Sequence, residues 1–69
     1  MSALDAAMLA AHANDDGPAL VALYAQAADE TDDIDAACFY LTHAYIFALE
    51  LGRPEVQALH ARLDAHGRV

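Results

Sequence analysis

The chain is 69 residues long, enough for one domain spanning 1–69, and a chain of this size buries only about 60% of the surface that its unfolded form exposes, so it is marginal without a staple or a partner. Its single cysteine, Cys38, excludes an internal disulfide, and 18 alanines with no Lys and no Trp are the composition of a helical protein. The formal charge of −8 disfavours nucleic-acid phosphate and anionic membrane surfaces and favours a basic protein partner.

The N-terminal stretch MSALDAAMLAAHANDD has no basic n-region, so a secretory signal is not expected and a cytoplasmic location is. The first helix is expected over about 3–13: Ser2 and Asp5 stand in an S-x-x-D start, and Leu4, Met8 and Ala11 share one face. NDDG then ends it with turn-favouring residues. The second is expected over about 18–30, with Pro18 at its first position, Asp16 or Gly17 as cap, and Leu20, Leu23, Tyr24, Ala27 and Ala28 as its apolar face. The third runs over about 33–51, capped by Asp32, with Asp33 and Asp35 favouring the dipole of its first turn and Gly52 as its stop. The fourth runs over about 54–66 between Pro54 and Gly67, with Val56, Leu59 and Leu63 facing inward. No sustained alternation of period two appears, and every connection is short. The expected class is therefore all-α: four short antiparallel helices, a central hairpin with one helix flanking it on each side.

The third helix carries the most information. Its uncharged run between Asp35 and Glu50 is 14 residues with His43 inside it, below the roughly 20 that a membrane span needs, so a core helix is expected. At helical spacing, Ile34, Ala37, Cys38, Leu41, Ala44, Tyr45, Ala48 and Leu49 form one broad face. Phe39, His43, Ile46, Phe47 and Glu50 lie opposite, flanked by Ala36 and Tyr40. Helices two and four can cover the first face. The second needs helix one or another molecule, which makes Phe39, Tyr40, His43, Ile46, Phe47 and Glu50 the candidate interface.

The segment DIDAACFYLTHAYIFALELG resembles the second helix of a tetratricopeptide repeat, in a variant with a long second helix. Asp33, Ala37, Leu41, Ala44, Ala48, Leu49 and Gly52 match its D-x-x-x-A, large, small and A-L-x-x-G places, and Tyr24, Ala25 and Ala28 fall near the first-helix packing sites. Val21 stands where the repeat has Trp, Tyr24-Ala25 where it has Leu-Gly, Ala28 where it has its downstream Tyr, and Pro54 comes late. The resemblance covers about 18–63 and implies a protein-binding scaffold. Such arrays need at least three units for stability, so it also implies self-association, as a homodimer, or a permanent partner.

Other constellations point away from catalysis. DETDDID, 29–35, is strongly acidic, but counting from Asp29 the glycine place of a calcium loop holds Ile34 and its bidentate glutamate place holds Tyr40, so a solvated turn with a helix cap is expected. His12, His43, His60 and His66 lack the close Cys or His partners that zinc requires; His60 and Asp64 are four apart but incomplete. His43 among aromatics is a place for pH-sensitive association. Ser2 is terminal and Cys38 lies in an apolar run, so no nucleophile with a base is apparent and no enzyme, metal or cofactor is expected. The reading is a small acidic interaction module, an adaptor or self-associating accessory protein. The alternative is an acidic inhibitor or nucleic-acid mimic that binds a basic partner, supported by nine acids and no Lys or Arg before Arg53.

Overall fold

A computed structural model describes residues 2–69 and shows an all-α chain. Its helices are α1 (Ala3–Ala13), α2 (Gly17–Glu30), α3 (Ile34–Leu51) and α4 (Val56–Ala65), with no strand among the described residues.

Local chemistry sets each helix start. In α1, Asp5 N donates to Ser2 Oγ at 3.1 Å and Ser2 N donates to Asp5 Oδ2 at 3.5 Å, a reciprocal capping box. In α2, the Asp16 side chain accepts from Ala19 N at 3.3 Å. α3 is capped by Asp33, not Asp32. Asp33 N donates to Thr31 Oγ1 at 3.2 Å, which closes a side-chain turn and leaves the Asp33 carboxylate to accept from Asp35 N at 2.9 Å and Ala36 N at 3.3 Å. α4 starts two residues later than expected. Pro54 lies in a turn in which Val56 N donates to Arg53 O at 3.3 Å, and Glu55 offers no side-chain cap.

Three helix ends share one device: two crossed backbone hydrogen bonds behind a left-handed residue. After α3, Arg53 N donates to Ala48 O at 2.9 Å and Gly52 N to Leu49 O at 3.3 Å, with Gly52 at φ 64°. After α4, Arg68 N donates to Leu63 O at 3.0 Å and Gly67 N to Asp64 O at 2.9 Å. After α1 the same bonds run from Asp16 N to Ala11 O and Asp15 N to His12 O, but the left-handed position is Asp15, at φ 53°.

Helix backbones pack only along their chain neighbours: α1 on α2, α2 on α3, α3 on α4. The body is accordingly flat, 31 × 28 × 12 Å. Its core joins Val21 and Ala28 of α2, Cys38, Leu41, Ala44 and Ala48 of α3, and Leu59 and Leu63 of α4. Ala44 and Ala48 are wholly buried at 0% exposure, and their small side chains permit close helix approach. Leu41, Leu63 and Val21 supply the largest fully buried side chains, each contributing about 1.5–3 kcal/mol. The broad first face of α3 is narrower than its spacing suggests. Ile34 and Leu49 are 57% and 51% exposed, because Ile34 opens the helix and Leu49 lies at the edge of the buried stripe.

The acidic hinge between α2 and α3 is tied to the C-terminal part of the chain. Arg62 pairs with Asp29, and Arg68 donates to Asp35 at 2.6 Å. This hydrogen bond, with a smaller contribution from Cys38, raises the Arg68 guanidinium above its ordinary pKa. Arg53 pairs with Glu55 at 3.3 Å.

Candidate interaction surface

The second wall of α3 divides in two along its length. Tyr24, on α2, covers one half: its ring stacks on His43 at 5.1 Å between centroids and on Phe47 at 6.0 Å, and approaches Tyr40 at 6.2 Å. α1 reinforces this cover through His12, whose Nε2 lies 3.0 Å from Tyr24 Oη and whose ring meets Phe47 edge-on at 6.3 Å. Tyr40, His43 and Phe47 are consequently half-buried.

The other half is open. Phe39 is 57% and Ile46 47% exposed, and Glu50 is exposed beside them on the same helical face. His43 joins the two halves. Its Nδ1 lies 3.0 Å from Phe39 O, which can only accept, so Nδ1 carries the hydrogen. Its ring lies 4.4 Å from the Phe39 ring. An unbroken aromatic ridge thus runs from His12 on α1 through Tyr24 to Phe39 on α3.

Of the six residues expected at the interface, Phe39, Ile46 and Glu50 form the open surface, while Tyr40, His43 and Phe47 form the ledge beneath it. Sequence spacing did not place His12 and Tyr24 on this ridge. Tyr24 reads there as part of the apolar face of α2, and His12 as one of four histidines without metal-ligand spacing. The available signal is a stripe on α1: Asp5, Met8, Leu9 and His12 recur at i, i+3, i+4 and i+7. These four residues and Tyr24 line an open depression of about 340 Å³, and Leu9 is 57% exposed at its rim.

Electrostatically, each of the three arginines engages a carboxylate of the chain itself. Asp5 lines the depression beside Tyr24, and Glu50 lies on the helical face of Phe39 and Ile46. Cys38 is buried at 3% exposure. Among the described residues, no group of three or more His, Cys, Asp or Glu side chains could hold a metal ion. By length and composition alone α3 is also apolar enough to cross a membrane: its 18 residues have a mean hydropathy of 1.2, and 22% of them are buried. No protein-family model, curated protein or solved structure matches the chain.

Proposed function

We propose that the protein is a small, non-catalytic, cytoplasmic interaction module that docks a protein partner on the open half of the α3 wall. The observation that carries this reading is the exposure of Phe39 and Ile46, at 57% and 47%, on a ledge of rings already held in place by Tyr24. Aromatic anchors on a rigid support are the residues that dominate interfaces. Glu50 at the edge of the ridge and the net charge of −8 favour a partner with a basic rim. The tetratricopeptide-like resemblance belongs to the same proposal. It is supported by the α2–α3 hairpin and by the buried small residues Ala44 and Ala48. A soluble role for α3 is supported by its packing between α2 and α4 and by Asp35 and Glu50 near its ends.

The test is capture of partners from native lysate by the wild type and by Phe39→Asp/Ile46→Asp, read by mass spectrometry. Both side chains are exposed, so the variant keeps its fold, as circular dichroism will verify. A partner lost by the variant supports the docking wall, and retention of every partner by the variant sinks it.

One observation favours the second reading, an acidic inhibitor or nucleic-acid mimic. With Arg53, Arg62 and Arg68 each paired internally, the chain's excess carboxylates have no internal counter-charge. A charge mimic releases its partner steeply as salt rises and is indifferent to Phe39→Asp/Ile46→Asp; an apolar anchor behaves the opposite way.

A further inference from the structure

A second surface adjoins the α3 wall, sharing His12 and Tyr24 with its covered half and none of its open residues. On α1, Asp5, Met8, Leu9 and His12 make one stripe along the depression beside Tyr24. Its order is acid, apolar, apolar, base, so it is complementary to itself when reversed. Two copies of α1 stacked antiparallel about an axis between Met8 and Leu9 bring position 5 opposite 12 and position 8 opposite 9. Leu9 of each copy then faces the depression of the other, and Asp5 of each lies beside His12 of the other. We infer that a second copy of this chain docks here, α1 against α1 across a two-fold axis, with paired Asp5–His12 contacts at its ends.

Three observations support this occupant. The depression, at about 340 Å³, is open and walled by Met8, Leu9 and the Tyr24 ring, which suits the leucine and methionine of a facing helix. Leu9 is 57% exposed at that rim, so it is free to enter a neighbour. Charge also selects this edge: α1 holds Asp5 as its one acid, while the other carboxylates begin at Asp15, so two copies of an acidic chain meet here with least repulsion. The hydrogen bonding is consistent as well. When Nε2 of His12 accepts from the Tyr24 hydroxyl, its Nδ1 carries hydrogen and donates to the facing Asp5 carboxylate. A helix of 11 residues is about 16 Å long, so the interface is small and the dimer is weak, with dissociation in the micromolar to sub-millimolar range.

Sedimentation of the full chain over loadings up to about 1 mM tests this. The wild type is expected to pass from monomer to dimer across that range. Leu9→Asp should weaken the dimer about tenfold or more, and Ile46→Asp, on the other surface, should leave it unchanged. His12→Glu and Asp5→Lys should each be monomeric alone, because the first sets Glu against Asp5 of the other copy and the second sets the lysine ammonium against the His12 Nδ1–H, donor against donor. Their equimolar mixture should recover the dimer, because it restores Asp5–His12 on one side and creates Lys–Glu on the other. A wild type that stays monomeric throughout, dissociation by Ile46→Asp in place of Leu9→Asp, or a mixture that fails to pair overturns the inference. The α3 docking wall is judged separately, by partner capture with Phe39→Asp/Ile46→Asp.

Discussion

The two sides of α3 invert the usual relation between size and burial. On the side facing α2 and α4, Cys38, Ala44 and Ala48 are small and nearly sealed, with Leu41 as the one large side chain among them. On the opposite side, Phe39 and Ile46 are large and about half exposed. Burying the bulky side would have contributed more apolar area, so the fold is not organised to maximise burial of α3. Its helices approach closely through alanines, and two of its large apolar side chains, Phe39 and Ile46, are left presented. Tyr24 and His12 mark the seam between the two regimes: they fix the ledge of Tyr40, His43 and Phe47 without covering Phe39 or Ile46.

This contrast can be broken by substitution. The largest effect should come from Leu41→Ala, which empties the centre of the sealed side and should cost about 3 kcal/mol, measured by urea denaturation. For so small a domain that is a large share of the whole stability. Overfilling the same side should come next: Ala44→Leu has no space to occupy and should cost about 2 kcal/mol in the same assay, by forcing α3 away from its neighbours. Were that variant as stable as the wild type, the close approach through alanine would not be holding the helices together. At the seam, Tyr24→Phe keeps the ring stacking and removes the hydroxyl that meets His12, so a loss of about 1 kcal/mol is expected. Hydrogen exchange should then show α1 opening more often while α3 is unaffected. On the presented side, Phe39→Ala and Ile46→Ala should each lower the unfolding free energy by no more than about 0.5 kcal/mol. A substantial destabilisation there would mean that the wall serves the fold rather than a partner. The smallest effect belongs to the hinge. The Arg62–Asp29 pair is largely exposed, so Arg62→Ala should cost at most about 0.5 kcal/mol at low salt, and the loss should vanish when salt screens the pair.

Much of the architecture is legible in the sequence. Ser2 with Asp5, Asp16 before Pro18, and Gly52 and Gly67 are local signals, and local signals act through a few neighbouring backbone groups. Where boundaries differed, the reason was an equally local competitor: Thr31 accepting from Asp33 moved the cap of α3 by one residue, and the turn at Pro54 delayed α4. The candidate surface was legible only in part. The wheel of α3 separated Phe39 and Ile46 from Leu41, but it carried no information about which neighbour would cross the second wall.

Composition and punctuation thus settle that this chain forms helices, how many, and which stripe of each is apolar, because those properties depend on residues within a turn or two. Two other features lie beyond such reasoning: the burial of Tyr40, His43 and Phe47 under Tyr24, and the pairing of Arg62 and Arg68 with acids 33 positions away. They depend on the angle and offset at which helices pack. Those are set by side-chain interlocking across the whole core, and no local pattern encodes them.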